Sequence, residues 1–394
     1  GTTYLDAGVW NFNSPSTPPS EFKLTTIPMQ AVKVENKGKG VLVDFGKETF
    51  GFVKFHQLKG KGDLSIYYGE SPEEALDTEY CETLDKFSID SSNNGDFTLP
   101  DSKAFRYIYV ETNGTLSYDS VSMLYEYLPL DYRGSFRCND ELINKIWDIS
   151  AYTMHLTSRE FFIDGIKRDR WIWSGDAYQS YLMNYYLFFD SPSVSRTMLN
   201  LRGKDPVTSH TNTIMDYTFY WFMGIYDYLQ YAGDTHFVQQ FYPRMQSLME
   251  YCLSRRNANG MMEGLAGDWV FIDWADFKMS KAGEVSFEQL LFCRSLETMA
   301  ICADIMDDKE NEEKYTALAK DLKEKLFTCF WSNEKGAFVH NRENGKMSDQ
   351  VTPYTNMFAV LLDYLDQAKT DAVKKNVLLN PDALKITTPY MRFY

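Results

Sequence analysis

Charged and aromatic side chains are concentrated in one short stretch of the sequence, residues 164–177, which reads D-G-I-K-R-D-R-W-I-W-S-G-D-A. Its three aspartates stand among three cations and two tryptophans, between one predicted helix and the next. The cations can keep nearby carboxylates ionised or hold them by bidentate contacts, and the indole rings could stack on the apolar face of a sugar. On this chemistry alone the favoured interpretation is a salt-bridged loop in which Asp176 caps the following helix, because such ion-pair networks are common.

A second stretch, residues 267–276, reads G-D-W-V-F-I-D-W-A-D and again alternates aspartate with tryptophan between predicted helices. Functional residues concentrate on loops that a rigid scaffold holds. The two stretches therefore suggest a shared pocket. For the second stretch taken alone, a purely structural role is an equally good interpretation. A third segment, residues 216–221, is interpreted as the core of a helix with Asp216 at its N-terminal end.

Helices must position these loops, because the sequence changes to helical periodicity after Pro129. Asn139 is a predicted N-cap, followed by acidic residues in the first turn. Ser286 and Gln289 form a predicted capping box that opens a helix reaching about Met306. Apolar stripes at helical spacing comprise Leu142, Ile143, Ile146 and Trp147, and then Phe237, Phe241, Met245, Leu248 and Cys252. Further helices are predicted near 177–189, 216–231, 312–328 and 354–366.

The first 130 residues instead carry the period-two alternation of half-buried strands. Turn-forming stretches rich in glycine and asparagine separate these strands, which favours a β-sandwich. The Asp90–Asp96 stretch lacks the ordered ligand spacing of a calcium loop and is interpreted as a turn. The alternating residues are Leu64, Ile66 and Tyr68, then Phe105, Tyr107 and Tyr109, then Val121, Met123 and Tyr125.

The composition narrows the classes of function. At 394 residues the chain is long enough for two domains, and its net charge of −15 disfavours a nucleic-acid partner. No stretch approaches the length of a membrane span. The six cysteines contain no C-x-x-C pair and the five histidines are scattered, so we expect buried thiols and no catalytic zinc. Neither G-x-G-x-x-G nor a P-loop is present, which disfavours a nucleotide-dependent enzyme.

The stretch from Asp164 to Ala177 resembles the signature of bacterial α-L-rhamnosidases of glycoside hydrolase family 78. The common form of that signature is D-C-P-Q-R-D-E-R-x-G-W-x-G-D, and one branch reads D-G-x-K-R-D-R-x-x-W-x-G-D. This chain fits the second form at every fixed position. The family's D-F-G-x-E…G element is matched by Asp44–Glu48 followed by Gly51. The 268–276 stretch and the ending P-Y-M-R-F-Y also look like family segments.

The resemblance implies a fold and a domain division. We expect a multi-domain β + α protein, with an N-terminal, jelly-roll-like β-sandwich over residues 1–132. An incomplete (α/α)6 barrel over residues 133–394 should follow as the catalytic domain. Thr388 and Pro389 are predicted to be the N-cap and first residue of another helix. Four aromatic or apolar residues follow before the sequence ends, so we interpret the ending as a truncated helix.

The resemblance also implies hydrolysis of terminal α-L-rhamnosides with inversion by two carboxyl groups, without a cofactor or metal. The acid of the common signature is the glutamate after R-D; here Arg170 follows Asp169 directly, and the branch assigns the general acid to Asp169. Asp164 and Asp176 match positions that bind rhamnose hydroxyls, and Trp173 matches the stacking tryptophan. The predicted substrate-binding set is completed by Arg168, Asp273 and Trp274.

The general base is expected in a later loop that this chain does not contain. Loss of such a group typically costs a factor of about 10²–10⁴ in rate, so we expect the chain alone to be weakly active or inactive. The alternatives are a noncatalytic carbohydrate-binding protein and an (α/α)6-barrel glycosidase for another deoxysugar. The incomplete barrel should expose apolar helix faces and self-associate. The sequence leaves the localisation unknown, and a periplasmic or secreted location would suit the class.

Overall fold

The computed structural model describes residues 23–394. In it the chain divides into two compact units, which meet in sequence between Trp171 and Ile172. We call residues 23–171 the sheet unit and residues 172–394 the helical unit. The division by contacts falls inside the 164–177 motif, because the helix that follows Pro129 packs with the strands. The domain boundary at 132/133 stays a prediction.

The sheet unit is built on one eight-stranded sheet in which every recorded pair of strands is antiparallel. The order is β1-β8-β3-β7-β4-β5, with β2 and β6 also paired to the long strand β3. The strands are β1 Thr25–Gln30, β2 Lys33–Lys37, β3 Gly40–Leu58, β4 Gly62–Gly69, β5 Leu84–Ile89, β6 Gly95–Thr98, β7 Lys103–Thr112 and β8 Ser120–Tyr127.

The alternation predicted for two of these strands is confirmed. Leu64, Ile66 and Tyr68 of β4 lie in the main core of the unit, as do Val121, Met123 and Tyr125 of β8. The prediction for β7 is wrong in part: Phe105 is in the main core, but Tyr107 and Tyr109 pack in a second cluster. The reason is a shift of register between β3 and β7, between Asp44 and Thr49. An irregularity of this kind moves the following side chains to the other face.

Two helices belong to the sheet unit, the short α1 (Pro72–Leu76) and α2 (Glu141–Thr157). Asp140 caps α2, with its carboxylate accepting from the backbone N–H of Leu142 at 2.8 Å, so the predicted cap at Asn139 is wrong by one residue. Leu156 and Tyr152 of α2 pack against the core of the sheet unit.

The predicted apolar stripe at the start of α2 is exposed. Leu142, Ile143 and Ile146 are 66%, 45% and 54% accessible, and Ile149 continues the same face. An exposed apolar face of this kind favours association. The predicted self-association through the barrel stays a prediction.

In the helical unit, every second helix along the chain packs against the next one of that series. Contacts join α3 to α5, α5 to α7 and α7 to α9, and α8 packs along α7. The helices are α3 Ser174–Leu187, α4 Ser191–Arg202, α5 Met215–Ala232, α6 Thr235–Ser254, α7 Ser286–Ile305, α8 Lys309–Phe330, α9 Pro353–Leu361, α10 Gln367–Val373 and α11 Pro389–Arg392. Short strands are β9 Glu284–Val285, β10 Trp331–Ser332, β11 Ala337–Phe338, β12 Asn341–Glu343 and β13 Lys346–Met347.

Some predictions about individual helices are confirmed and one is wrong. Thr388 caps α11 with Pro389 as its first residue, as predicted, and the stripe of α6 from Phe237 to Cys252 is buried. The capping box at Ser286 is wrong, because the Ser286 hydroxyl donates to the backbone oxygen of His340 at 2.9 Å. The Gln289 amide bonds instead to the backbone of Met262. Across residues 23–394, no helix combines the length and the apolar character that a membrane crossing requires.

Candidate active site

The first half of the motif, residues 164–171, forms a closed loop within the sheet unit. The backbone N–H of Asp164 donates to the Trp171 oxygen at 2.9 Å, and the Asp164 carboxylate accepts from the Trp171 N–H at 2.9 Å. Burial raises the pKa of Asp164, with a contribution from the charge of Asp169. The two ends of the loop are therefore tied together, and the residues between them are held in a short arc.

The three cations of the loop reach partners outside the motif. Lys167 Nζ lies 2.6 Å from Glu74 Oε1, and Arg170 donates to the backbone oxygen of Ser102 at 3.0 Å. Arg168 is exposed, with its Nε 4.0 Å from Glu82 Oε1. The carboxylates that Lys167 and Arg168 approach are glutamates of the sheet unit and not aspartates of the motif.

The predicted general acid, Asp169, is exposed at the apex of this loop. Lys167 before it and Arg170 after it are anchored, and in the part of the chain that the structure describes the carboxylate of Asp169 has no hydrogen bond or ion pair. A carboxyl group that donates a proton to a substrate must be accessible to it. The geometry is therefore compatible with the predicted role, which stays a prediction.

Glu48, in the D-F-G-K-E element, lies at the register shift between β3 and β7. Its backbone oxygen accepts from the Tyr152 hydroxyl at 2.7 Å, while neither carboxylate oxygen has a hydrogen-bond partner among the described residues. Burial, with Glu70 and Glu74 nearby, raises the pKa of Glu48 to about 8. The Glu48 carboxyl group is therefore protonated at neutral pH.

Replacing Glu48 by glutamine is expected to flatten the dependence of stability on pH. The folded-state pKa is raised from 4.5 to about 8, so the folded protein keeps a proton that the unfolded chain loses. This contribution to stability is full below the unfolded pKa and is lost as pH rises through the folded pKa. Denaturant unfolding between pH 5 and pH 9 should show wild type losing stability with rising pH more steeply than Glu48→Gln. Glu79→Gln, at an exposed glutamate of the sheet unit, serves as the control, and parallel curves for all three proteins would contradict the assignment.

The second half of the motif starts helix α3 in the helical unit. Asn212 holds this start: its side-chain oxygen accepts from the Ser174 N–H at 2.9 Å, and its amide donates to the Ile172 oxygen at 3.1 Å. Trp173 is the N-cap residue, and no side chain caps this helix. The alternative interpretation of Asp176 as a cap is therefore wrong. Asp176 lies in the first turn, where the helix dipole favours its charge, and it accepts from the Tyr217 hydroxyl at 3.2 Å.

Gly175 of the motif is required by close packing. A Cβ atom at this position would lie 2.1 Å from the Tyr390 hydroxyl and 2.6 Å from the Tyr217 ring. Both tyrosines surround Asp176, since Tyr217 donates to it and Tyr390 lies within reach of its charge. The glycine lets these rings approach the start of α3.

Gly175→Ala is expected to lower the free energy of unfolding by about 1–3 kcal/mol, the usual cost of overpacking a buried site. Gly165→Ala is the matched control in the same motif, because nothing lies within 4 Å of its added Cβ atom and its φ is not positive. Denaturant unfolding of both variants measures the difference. Equal stabilities for the two would contradict the packing argument.

The 268–276 stretch presents tryptophan rings at the surface of the helical unit. Trp274 is 69% and Trp269 43% exposed, and their ring centroids are 6.1 Å apart. Phe271 contacts both rings and lies 5.7 Å from the ring of Tyr217. Tyr217 in turn lies 6.4 Å from the ring of Trp173. Ring contacts thus connect this stretch to the start of α3, and the exposed indoles offer faces on which a sugar could stack.

Asp273 is 4% exposed and is engaged by groups of its own chain. Its carboxylate accepts from the Tyr354 hydroxyl at 2.8 Å, from the Thr388 hydroxyl at 2.7 and 2.8 Å, and from the Trp274 N–H at 2.8 Å. These bonds fix the backbone at Trp274. The sequence predicts Asp273 as a substrate ligand, and the observed contacts give it the further task of orienting the exposed tryptophan beside it.

Asp216 lies beneath the same stretch, fully buried in the first turn of α5. Its two carboxylate oxygens accept from the N–H groups of Phe271 and Ile272, at 3.2 and 3.0 Å. Ile272 has a φ of 64°, a conformation that is strained for a β-branched residue. Asp216 therefore holds a strained backbone in place, directly before Asp273 and Trp274.

Glu288 of α7 is a second buried acid near Asp216. Both of its carboxylate oxygens lack a hydrogen-bond partner among residues 23–394. Burial and the charge of Asp216 raise the pKa of Glu288 well above its usual range, and burial also raises that of Asp216. Lys281 donates to the Phe271 oxygen and lies close enough to both acids to oppose these shifts.

Within the described range, no group of three histidine, cysteine, aspartate or glutamate side chains is arranged to hold a metal ion. The Asp90–Asp96 stretch instead forms a turn that Asp90 caps by accepting from the Ser92 N–H at 2.8 Å.

Comparison of the sequence with models of known families shows which family the chain belongs to. Residues 131–382 match the bacterial α-L-rhamnosidase six-hairpin glycosidase domain, and residues 1–110 match the N-terminal domain described as alpha-rhamnosidase-like, bacteroidetes. The chain belongs to the bacterial α-L-rhamnosidases. The family predicted from the 164–177 motif is thus confirmed, as is its class, the glycoside hydrolases.

Individual relatives agree with this assignment. An α-L-rhamnosidase of Formosa agariphila is 24% identical over 69% of this chain, which covers 33% of that protein. A rhamnosidase from Klebsiella oxytoca with rhamnose bound has a TM-score of 0.78 at 20% identity, covering 94% of this chain and 82% of that one. A family 78 rhamnosidase of Bacillus sp. GL1 has a TM-score of 0.77 at 22% identity, with 92% and 40% covered. This rhamnosidase chain therefore spans about a third of the curated relative that it matches.

Sequence reasoning missed several residues around the rhamnosidase motif. Glu288 lies inside a regular helical pattern, where nothing distinguishes a buried acid from an exposed one. The sequence marks Glu48 only as part of the D-F-G-K-E element, and Tyr217 only as part of a helix core. The available signal for Asp216 is that two aspartates occur close to one tryptophan-rich stretch. The N–H groups that Asp216 binds, however, are 55 and 56 residues away in the sequence.

Proposed function

We propose that this chain carries the acid and much of the sugar-binding surface of a glycoside hydrolase that releases terminal α-L-rhamnose with inversion. The observation that carries the proposal is the match of residues 131–382 to the α-L-rhamnosidase glycosidase domain, which contains the whole 164–177 motif. A relative from Klebsiella oxytoca is described with rhamnose bound, which supports the choice of sugar. The substrate is a rhamnoside, and no cofactor is required.

In this mechanism the Asp169 carboxyl group protonates the glycosidic oxygen while the bond to the sugar breaks. A second carboxylate removes a proton from a water molecule, which attacks the opposite face of the sugar ring. Inverting enzymes separate the two groups by about 6.5–9.5 Å to leave room for that water.

The remaining predicted residues bind and orient the sugar. Asp164, Arg168 and Asp176 offer charged groups for its hydroxyls, and hydrogen bonds to charged groups are stronger than neutral ones. Trp173 and Trp274 offer aromatic faces for its apolar side. Asp273 holds the backbone at Trp274, as its four hydrogen bonds indicate.

The finer architecture is part of the same proposal. We assign the strands before residue 132 to a jelly-roll-like sandwich and the helices after residue 133 to an (α/α)6 barrel, with the domain boundary at 132/133. The packing of α5 between α3 and α7, and of α7 against α9, supports this, because an (α/α)6 barrel has alternate helices as its inner ring. The family description of six hairpins supports it as well.

Sugar binding and turnover test the proposal together. Titration of tryptophan fluorescence with L-rhamnose, L-fucose and D-mannose should show a preference for L-rhamnose. Release of nitrophenol from an aryl α-L-rhamnoside, with and without Asp169→Asn, then measures turnover. Binding of L-rhamnose without turnover in the complete natural protein would support the noncatalytic alternative. A preference for L-fucose would support a glycosidase for another deoxysugar.

A further inference from the structure

We propose that Lys167 and Glu74 are positioning residues for the general acid, fastening the loop that carries Asp169 to the sheet unit. The inference deepens the proposed function and rests on the role of Asp169 in it. It also assigns a task in catalysis to the sheet unit. The residues involved all lie between Asp44 and Trp171.

The anchor is a short, partly buried ion pair. Lys167 Nζ lies 2.6 Å from Glu74 Oε1, with 23% and 25% of the two side chains exposed. The other oxygen of Glu74 accepts from the backbone N–H of Glu70 at 2.9 Å. Ser71 caps α1 by accepting from the Glu74 N–H at 3.2 Å. Glu74 is thus fixed by its backbone and by one carboxylate oxygen, which leaves the other directed at Lys167.

Further carboxyl groups strengthen the attraction for Lys167. Glu70 Oε1 lies 3.8 Å from Lys167 Nζ, and Glu82 also lies close enough to favour the charged form of Lys167. The neighbouring glutamates raise the pKa of Lys167 against the opposing effect of burial. Lys167 therefore stays charged among these acids.

A second anchor lies on the other side of the acid. Arg170 donates to the Ser102 oxygen at 3.0 Å and its guanidinium lies 5.8 Å from the Phe50 ring. Its φ of 48° is unusual for a residue with a side chain. Asp169 is therefore enclosed between an anchor two residues before it and one directly after it, while its own carboxylate is left exposed for a ligand.

Such anchoring matters because proton transfer depends on distance. A misplacement of about 1 Å in a catalytic group can cost about 10²-fold in rate. An aspartate on an exposed loop reaches that precision only when its supporting contacts are fixed. The Glu74–Lys167 pair connects residues 93 positions apart, which ties the loop to α1 and its strand β4 rather than to its own neighbours in sequence.

The anchor can be tested by trypsin digestion of the folded chain. Glu74→Gln removes the charge but leaves the cleavable residues Lys167, Arg168 and Arg170 in place. We expect cleavage at these residues to become faster by on the order of tenfold, the effect of losing one charge-assisted hydrogen bond. Glu73→Gln is the matched control, because Glu73 is exposed on the same helix. Unchanged cleavage in Glu74→Gln would overturn the anchor.

The consequence for catalysis is tested by changing the leaving group in the complete natural protein. General-acid assistance matters most when the leaving alcohol is a weak acid. Glu74→Gln should therefore lose about 10²-fold in kcat on an alkyl rhamnoside and far less on a nitrophenyl rhamnoside, with Lys167→Arg retaining most activity. Equal losses on both substrates, or a natural protein without turnover on either, would overturn the positioning role. If the loop opens but Asp169→Asn keeps full activity, the anchor stands and the assignment of the acid fails.

Discussion

Asp169→Asn is expected to lower kcat on an alkyl α-L-rhamnoside by about 10²–10⁴-fold in the natural protein, the usual contribution of a general acid. Asparagine has nearly the shape of aspartate but no proton to donate at the glycosidic oxygen. Because the Asp169 carboxylate is exposed and holds no partner among the described residues, its loss should not disturb the fold. The dissociation constant for L-rhamnose should stay within about twofold, since surface substitutions rarely change stability or packing.

The measurement needs three proteins and two readouts. Wild type, Asp169→Asn and Asp119→Asn, a control at an exposed aspartate of the sheet unit, are compared for turnover and for fluorescence titration with L-rhamnose. A nitrophenyl rhamnoside should show a smaller loss than the alkyl substrate, because its leaving group needs less protonation. Full activity of Asp169→Asn on the alkyl rhamnoside would contradict the assignment of Asp169 as the general acid. Loss of binding together with activity would point to a role in holding the sugar.

The sequence predicts local structure well where one physical rule decides it. The alternation in β4 and β8 is confirmed because both strands keep one face in the main core. It fails in β7 because the shift of register opposite Asp44 is set by pairing with β3, which the sequence of β7 does not encode. The α2 cap is wrong by one residue because Asn139 and Asp140 are both good caps, and only the geometry selects Asp140.

The candidate site shows the same limit over longer distances. The 164–177 motif identified the family, but it did not reveal that Lys167 pairs with Glu74 rather than with an aspartate of the motif. It also gave no sign that Asp273 is held by Tyr354 and Thr388. Such partners are brought together only by the fold, and several of them are residue types that any helix or strand contains. A sequence motif identifies the residues that carry out chemistry. The residues that support them are identified only from their contacts in the folded structure.

Asp216 is the supporting residue whose loss should have the largest effect on stability. Its side chain satisfies two buried N–H groups at a strained Ile272. A buried donor left without a partner costs about 1–3 kcal/mol. Asp216→Ala is therefore expected to lower the free energy of unfolding by about 3 kcal/mol. Because the strained backbone precedes Trp274, we also expect the affinity for L-rhamnose to fall by about tenfold, the equivalent of about 1.4 kcal/mol.

Asp216→Asn keeps a hydrogen-bond acceptor at this position and removes the negative charge. Its amide oxygen can still accept from one of the two N–H groups, so its loss of stability should be smaller than that of the alanine variant. Burial raises the folded-state pKa of Asp216, so the wild-type contribution is full below the unfolded pKa and is lost as pH rises through the raised folded value. The asparagine variant lacks this dependence, and its stability relative to wild type should improve as pH rises above about 4.

Denaturant unfolding from pH 4 to pH 8 and fluorescence titration with L-rhamnose measure both effects, with Asp276→Asn as the control in the same stretch. Asp276 is exposed, so its variant should match wild type in both assays. If Asp216→Ala were as stable as wild type, its hydrogen bonds would not be what holds Ile272 in its strained conformation. If it were destabilised yet bound L-rhamnose normally, the orientation of Trp274 would have to come from the hydrogen bonds of Asp273 alone.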